Sequence, residues 1–385
     1  MDSRGQVTSI RDKGGNTISR GPRGERRVET VRADRTRVVT LGRRGGYVER
    51  PFDRGGRQYV RRTYVVGGRS YVRVYRGHYY HGRPYYVFVP PYYYSPAYYH
   101  WMYGPWPRPV YYHWGWYGST WYRPYGYYFA PYPAYPYASL WLTDYLIAEN
   151  LRLAYEADHL DSYQPDDGQV GIALAAYHPA NQVNGGASKT GSAVLTPEVK
   201  QMIADEVKGV IAEQQKAAAS ADGASQNGSG DDRPAALDPN HRVFVAFSVV
   251  EATSNSDDTC SLTASDVVKR IADTPDTDNM VTVQILASKK GDCAIGSQAR
   301  VNLGDLNDML NHLGEQVDAG MKILAEKQGK DGLPAAPPAN PRAVPEGTAT
   351  PDPTAAADLQ EQEQEADQTE HEVQQETSSD AGSGN

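Results

Sequence analysis

Arginine and tyrosine alternate in a repeat of 12 residues, and this pair of residue types is suited to holding anionic ligands. The repeat reads GGRQYVRRTYVV over Gly55–Val66 and GGRSYVRVYRGH over Gly67–His78. Guanidinium groups bind phosphates and carboxylates, while aromatic rings stack on planar or ring-shaped ligands. The candidate ligand-binding residues are Arg57, Tyr59, Arg61, Tyr64, Arg69, Tyr71, Arg73 and Tyr75 in the repeat, with Trp101 and Trp114 in the segment that follows.

Histidines supply only a weak metal signal. His78 and His81 stand three residues apart, and His100 and His113 follow in the same aromatic region. No carboxylate or thiolate stands near them at the spacing that metal sites use. We therefore expect exposed or ring-packed histidines, and we predict neither a metal nor a cofactor.

The rest of the chain offers no set of residues typical of catalysis. Neither a Ser/His/Asp set, a Cys/His pair nor a pair of acidic residues at catalytic spacing can be picked out, so the sequence predicts a protein that is not an enzyme. Cys260 and Cys293 are the only cysteines, and both are flanked by turn-forming residues. We predict that they form a disulfide; the alternative is two unpaired thiols in a cytoplasmic protein.

Glycine pairs separate the arginine- and tyrosine-rich segments, which indicates strands joined by tight turns. Alternating side chains and Gly-Gly turns are typical of β-hairpins, so residues 26–90 are predicted to form a basic β-meander. The pattern resembles the short YD-type hairpin repeats of bacterial surface proteins. The resemblance is one of composition.

Residues 91–138 form a segment rich in tyrosine, tryptophan and proline, for which we expect polyproline II structure and turns. Such rings can stack on sugars, lie at a membrane surface or associate with other copies of the chain. The segment resembles the Tyr/Gly/Trp-rich regions of uncharacterised exported bacterial proteins, a resemblance that implies no known activity.

The second half of the chain predicts helices and then a small folded domain. Residues 139–216 read as a helical region, with a helix over 139–159, a Gly/Asn/Ser-rich loop and a second helix that begins after Thr196. Residues 217–240 read as a flexible linker. Residues 241–328 are predicted to form a compact α+β domain in the order strand, short helix or turn, strand, strand, helix.

A short segment of this domain, Leu262–Val268, is similar to the L-x-x-G-D-V-I segment of PDZ domains. Ser265 stands where that family has glycine, and no carboxylate-binding loop precedes the segment. The resemblance implies a peptide-binding groove, and these departures from the family pattern count against one.

Charge is divided between the two ends of the chain. Residues 1–143 carry a net charge of +16 and residues 144–385 a net charge of −24. We predict a disordered basic N-terminus over residues 1–25 and a disordered acidic tail over residues 329–385, in which 358–376 becomes helical on binding. The two ends are expected to attract each other, within one molecule or between molecules.

These features together predict a multi-region α+β protein. No apolar run reaches the roughly 18 residues of a membrane-spanning helix. The first residues lack the apolar core of a signal peptide, but the cysteine pair favours an extracytoplasmic location, in the periplasm, on the outer surface or secreted. We therefore expect either that the translation start lies further upstream or that export follows an atypical route; the alternative is a cytoplasmic protein.

The predicted function is that of a non-enzymatic bacterial envelope or surface protein with an adhesive, structural or interaction role. Its expected partners are an anionic polymer, the envelope surface or further copies of the chain. Two alternatives stay open: a nucleic-acid-binding protein that uses the arginine, tyrosine and glycine repeats, and a carbohydrate-binding protein that uses an aromatic strip.

Overall fold

The basic repeats form an antiparallel sheet of eight strands, each paired with the strand next to it in sequence. A computed structural model of the protein describes residues 9–11, 15–22, 25–42, 45–159, 194–222, 233–254 and 258–382. The strands are β1 (Ser9–Arg11), β2 (Thr17–Arg20), β3 (Arg26–Val31), β4 (Arg37–Thr40), β5 (Gly46–Arg54), β6 (Arg57–Val66), β7 (Arg69–Tyr80) and β8 (Arg83–Val89).

Two-residue glycine turns join the central hairpins, as the repeat predicts. Gly55 and Gly56 have φ of 58° and 72°, and Gly67 and Gly68 have φ of 55° and 73°. Positive φ at both central residues matches the twist of a two-residue hairpin, and glycine adopts it without a steric penalty. The glycine pairs therefore set the register of β5, β6 and β7.

The sheet extends further toward the N-terminus than the sequence predicts. Residues 1–25 were expected to be disordered, but β1 and β2 lie within this range and pair with the sheet. Ile18 is buried against Val28 and Ala366, so one apolar side chain anchors this end of the sheet. Residues 1–8, 12–14 and 23–24 lie outside the described residues.

The aromatic segment contains a helix where only polyproline II structure and turns were expected. A two-residue strand, β9 (Tyr92–Tyr93), precedes the helix α1 (Pro96–Tyr103). Ser95 Oγ accepts a hydrogen bond from the Tyr98 backbone N–H at 3.2 Å. Pro96 occupies the first turn, where its missing N–H costs no helical hydrogen bond, so the proline starts the helix instead of preventing it.

Two long helices follow, close to their predicted positions. The helix α2 (Ala138–Asp158) matches the prediction for 139–159, and the helix α3 (Pro197–Asp222) begins after Thr196, whose Oγ1 accepts from the Val199 N–H. Helix α3 extends six residues into the predicted linker. The rest of the linker is described only from residue 233, and the Gly/Asn/Ser-rich loop lies outside the described residues.

The second sheet has six antiparallel strands in the order β10-β13-β14-β15-β11-β12. It contains more strands than predicted, because the first predicted strand is divided in two and the segment expected to be a short helix or turn forms two strands. Asp266 accepts a hydrogen bond from the Thr263 N–H, and Ser265 has φ of 70°, which together make a tight turn in that segment. The strands are β10 (Val243–Val245), β11 (Val250–Ser254), β12 (Thr259–Leu262), β13 (Val267–Arg270), β14 (Met280–Ala287) and β15 (Gln298–Asn302).

The helix α4 (Leu303–Lys327) lies between the two sheets and is buried along most of its length. It presents acidic side chains to one face of the basic sheet. Arg62 Nη2 lies 2.9 Å from Asp308 Oδ1, and Arg27 and Arg37 pair with Asp305 and Asp308 at 2.7 Å. Arginines that the sequence suggests are solvated are therefore neutralised inside the molecule.

The acidic tail, for which composition predicts disorder, covers the opposite face of the same sheet in the structure. It contains a short strand, β16 (Arg342–Ala343), and a long helix, α5 (Ala355–Gly382). Ion pairs between Arg26 and Glu363 and between Arg32 and Asp358 are 2.7 and 2.6 Å long. The tail has little apolar surface to bury, and its ion pairs with the sheet stabilise it instead. The expected attraction between the two ends therefore occurs within one chain.

One apolar cluster connects the aromatic segment, α2, α3, the second sheet and α4. It runs from Tyr85 to Leu333 and contains stacked rings such as Trp114 on Trp141, with ring centroids 5.1 Å apart. The predicted domain over residues 241–328 therefore shares its core with the segments before it. The expected α+β class is confirmed, with helices and antiparallel sheets in comparable amounts.

Candidate functional site

An open cleft of about 1120 Å³ lies where the basic sheet meets α3. Strands β6 and β7 form its floor, and the end of α3 from Glu213 to Ser220 forms one wall. The segment 342–346 forms another part of the lining. Three stretches of chain that are far apart in the sequence thus meet around one opening.

Backbone pairing fixes the wall formed by 342–346. Strand β16 pairs with β9 in antiparallel register, Arg342 opposite Tyr93, and the Val344 N–H donates to the Pro91 carbonyl at 2.9 Å. The Arg54 guanidinium donates to the Pro345 carbonyl from the neighbouring hairpin. The wall is therefore a built part of the fold, and the Arg342 guanidinium donates a hydrogen bond to the Ala218 carbonyl of α3 at 3.3 Å.

The cleft is cationic. Arg57, Arg76, Lys216 and Arg342 line it, against two carboxylates, Glu213 and Glu346. Arg76 and Lys216 are exposed, and neither forms an ion pair with a residue that the structure describes. Exposed cations around a concave surface attract anions, because the walls concentrate the field.

One of the two carboxylates already has a cationic partner. Glu213 Oε1 lies 2.9 Å from Nε2 of the buried His241, whose Nδ1 lies 3.0 Å from Glu206 Oε2. Burial lowers the pKa of His241, but the hydrogen bonds that its ring donates to the Glu206 and Glu213 carboxylates, together with their charges, outweigh burial and raise that pKa to about 10. His241 is therefore protonated at neutral pH, and Glu206 and Glu213 share its single positive charge.

Tyrosine rings complete the lining. Tyr59, Tyr79 and Tyr93 face the cleft, and the Tyr79 hydroxyl donates to Gln58 Oε1 at 2.8 Å. Tyr59 is almost completely buried, whereas Tyr79 is half exposed. Aromatic surface beside guanidinium groups can hold the flat, apolar face of a ring while the charges hold an acid group.

The structure brings two of the predicted ligand-binding residues, Arg57 and Tyr59, into this cleft. Arg61 lines a separate, more open cavity of about 520 Å³ with Phe52, Arg54 and residues 348–350. Arg69 is exposed at the β6–β7 turn. The repeat therefore does not form one continuous binding strip.

The other predicted residues face the interior. Tyr64 and Tyr75 are buried under α4 and donate hydrogen bonds to Glu315, Tyr71 stacks on Tyr64 at 4.7 Å, and Arg73 lies 5.4 Å from the Tyr71 ring. Trp114 is buried and donates its indole N–H to the Tyr135 hydroxyl at 2.7 Å, while Trp101 is half-buried against Tyr98 and Trp106. These rings pack the core and are not presented to a ligand.

The histidines singled out in the sequence do not form a metal-binding group. His78 lines the cleft, His81 stacks on Tyr80 and His100 packs against Tyr103. Within the described part of the chain, no group of three or more His, Cys, Asp or Glu side chains could hold a metal ion.

The two cysteines lie together at one end of the second sheet. The sulfur atoms of Cys260 and Cys293 are 2.06 Å apart, at bonding distance, which agrees with the predicted disulfide. Among all the residues that the structure describes, no helix is both long enough and apolar enough to cross a membrane.

Sequence reasoning missed Arg76, Lys216, Arg342 and Tyr93, which supply much of the cleft lining. Of these, Arg76 could have been found from the repeat, because strand pairing places it beside Tyr59 on the same face. Nothing in the sequence indicates that Lys216 and Arg342 come to the same place.

The fold and the cleft together define an α+β protein with a cationic, tyrosine-lined cleft. Comparisons with protein-family models, with curated proteins and with solved structures find no match to the chain. Its function must therefore be argued from the cleft itself.

Proposed function

We propose that this chain is a non-enzymatic, extracytoplasmic protein of the bacterial envelope that binds an acidic polysaccharide in the cationic cleft. The observation that carries the proposal is the convergence of Arg57, Arg76, Lys216 and Arg342 around tyrosine rings. Uronic acid units combine a carboxylate with a ring that has an apolar face. These two features match the charges and the rings of the cleft.

A nucleic acid fits this arrangement less well. A single-stranded nucleic acid is held by a long basic groove with successive stacking rings. Here both faces of the basic sheet are largely covered, because Arg27, Arg37 and Arg62 pair with α4, and Arg26 and Arg32 pair with α5. The basic repeat therefore leaves a local cleft rather than a continuous groove.

The disulfide between the two cysteines supports a location of the protein outside the cytoplasm. Disulfides persist in oxidising compartments and are rare in the bacterial cytoplasm. The Cys260–Cys293 bridge closes a loop with a sequence separation of 33 residues in the second sheet. A structural bridge of this kind suits a protein that acts outside the cytoplasm.

The first prediction concerns binding of polygalacturonate, an acidic polysaccharide, measured by calorimetry at about 50 mM salt. The double variant Arg76→Glu/Lys216→Glu reverses two exposed cleft charges that have no ion-pair partner among the described residues. We expect it to weaken binding at least tenfold and to reduce the salt dependence, because fewer screened charge contacts remain.

The matched control is Arg69→Glu/Arg83→Glu, which makes the same charge change at two exposed hairpin turns of the same sheet. Neither residue lines the cleft, so we expect less than a threefold effect. If both double variants lose the same affinity for polygalacturonate, the cleft is not the binding site and the attraction is non-specific. Tighter binding of poly(U) RNA than of polygalacturonate would favour the nucleic-acid alternative.

A further inference from the structure

One lysine and two aspartates are buried together at the end of the second sheet that carries the disulfide. Lys289 follows β14, Asp266 directly precedes β13, and Asp292 is the residue before Cys293. The three side chains are 4%, 0% and 0% exposed. Lysine and aspartate are rarely buried to this degree, because each charge must give up its hydration. The three groups therefore face each other with little access for water.

The amine of the lysine contacts the carboxyl group of one aspartate and lies near the other. Lys289 Nζ forms a hydrogen bond with Asp266 Oδ1 and lies 3.7 Å from Asp292 Oδ2. It also donates to the Ala264 carbonyl at 2.7 Å, and it lies 4.9 Å from the centroid of the buried Tyr128 ring. These contacts hold a nucleophilic nitrogen against a carboxyl group in a nearly dry site.

The two carboxyl groups are hydrogen-bonded to each other, so one of them carries a proton. Burial raises the pKa of Asp266 well above its usual range against the opposing charge of Lys289, and the neighbouring Asp292 raises it further. Asp266 is therefore the protonated acid, and Asp292 is the carboxylate that faces the lysine. A protonated carboxyl group is open to attack by an amine, whereas a carboxylate resists it.

We propose that Lys289 and Asp266 join in an amide bond within the folded chain, independently of the cleft. The Lys289 ammonium gives one proton to the Asp292 carboxylate, and the nitrogen lone pair then forms a bond to Cγ of Asp266. Asp292 passes its proton to one oxygen on Cγ, the C–O bond breaks and that oxygen leaves as water. Asp292 takes up the second proton that the nitrogen releases. The products are one amide, one water and a protonated Asp292, and no oxidant or cofactor is consumed.

The surroundings are suited to the amide product. The Thr263 N–H donates to Asp266 Oδ2 at 2.8 Å, so the oxygen that stays in the amide already has a donor. The Ala264 carbonyl, which accepts from Nζ, is placed to accept from the amide N–H. The reaction also removes a buried cation and a buried anion, which are costly to keep away from water.

A second buried lysine–aspartate pair provides a matched control. Lys200 Nζ lies 2.7 Å from Asp144 Oδ1, and the side chains are 3% and 0% exposed. Among the described residues, no second carboxylate contacts this pair. Asp144 Oδ2 accepts from the Tyr135 hydroxyl at 2.6 Å, and burial keeps that hydroxyl protonated by raising its pKa. Because no group there takes a proton from the lysine, we expect this pair to stay an ion pair.

The test is mass spectrometry of the full chain after folding, reduction, denaturation and digestion with trypsin. An amide blocks cleavage after Lys289, so residues 243–269 and 271–290 should be recovered as one branched peptide. Its mass should be lower than the sum of the two linear peptides by the mass of one water. Recovery of the two stretches only as separate linear peptides, from folded protein, would overturn the proposal.

Variants test the roles of the three groups. Lys289→Arg keeps the charge but has no amine, and Asp292→Asn removes the proton carrier at nearly the same size. We expect no branched peptide from either variant, whereas Lys200→Arg should give as much of it as the unmodified chain. Formation of the disulfide in each variant shows that this end of the sheet is folded. A full yield of branched peptide from folded Asp292→Asn would contradict the proton transfer through Asp292.

The unmodified chain decides the proposal even where a variant fails to form the disulfide. A branched peptide that joins Lys289 to Asp266 supports it, with the linked residues located by fragmentation of that peptide. A link between Lys200 and Asp144, with Lys289 unmodified, would show that burial alone is sufficient and would refute the assignment to Lys289.

Discussion

At the scale of single residues, the largest departure from expectation is that several arginines of the basic sheet are buried in ion pairs. Arg62 is fully buried, with its guanidinium 4.2 Å from the Tyr47 ring centroid and 4.4 Å from that of Tyr75, and it pairs with Glu49 and Asp308. Asp308 is 246 positions away in the sequence. Alternation predicts the strand correctly, but it cannot tell a solvated face from one that a distant acidic helix covers.

At Asp308, burial and the neighbouring arginines shift the pKa of the carboxyl in opposite directions. Burial raises the pKa of this carboxyl, but the neighbouring Arg37 and Arg62 outweigh that effect and hold the pKa well below its usual range. A buried carboxylate persists as an ion only with partners of this kind. Asp305, also on α4, likewise lies opposite an arginine, 2.7 Å from Arg27.

The prediction at this scale concerns the oxidation state of Cys260 and Cys293 in cells. If the protein acts outside the cytoplasm, both thiols are bridged as it exists in cells. Thiol-reactive reagent added to cells before lysis should label neither Cys260 nor Cys293 unless a reductant is supplied first. Labelling of both cysteines without reductant, in protein that is shown to be folded, would contradict the extracytoplasmic placement.

At the scale of elements, periodic patterns predicted most of what forms locally. The Gly-Gly turns and the alternation predicted β3 to β8, and the apolar stripes predicted α2, α3 and α4 to within a few residues. The prediction was wrong for α1, and it missed the strands β12 and β13 on either side of the turn at Ser265. In both places a local hydrogen bond stabilises the structure: Ser95 Oγ accepts from the Tyr98 N–H at the start of α1, and the Asp266 carboxylate accepts from the Thr263 N–H across the turn.

Helix α5 is the element whose position depends most on charge. Among the side chains of α5 that the structure describes, only Ala355, Leu359 and Ala366 belong to buried apolar clusters. Arg20 and Arg26 stand opposite each other on β2 and β3, and Glu370 contacts both, with Nη2 to Oε2 distances of 2.5 and 3.4 Å. Without that carboxylate, two like charges would face each other across the strands.

We therefore predict that Glu363→Gln/Glu370→Gln loosens α5. Each lost, partly buried pair should cost about 1 kcal/mol, so amide hydrogen exchange in α5 should speed up by roughly tenfold or more at low salt. Raising the salt concentration to about 1 M should speed exchange in the unmodified helix, because screening weakens the same pairs.

The control for α5 is Glu365→Gln/Glu372→Gln, which removes two exposed carboxylates of the same helix that form no ion pair with a described residue. Its exchange should match that of the unmodified chain. Equal acceleration in both variants would show that total charge, and not these contacts, holds the helix on the sheet.

At the scale of the whole molecule, opposite charges that are far apart in sequence are brought together. The basic sheet lies between the acidic side chains of α4 and those of α5, and one apolar core joins the remaining elements. Composition predicted the attraction between the two ends but not its geometry. The cleft could not be predicted for the same reason, because its walls come from three segments whose meeting depends on the tertiary fold.

The most direct test of acid binding in the cleft is hydrogen exchange of the full chain with and without saturating polygalacturonate. We predict slower exchange in three separate segments: β7 near Arg76, the end of α3 near Lys216, and residues 342–346. The Arg76→Glu/Lys216→Glu variant should show none of this protection. Protection confined to the aromatic segment or to the β6–β7 turn, with these three segments unchanged, would contradict the assignment of the cleft as the binding site.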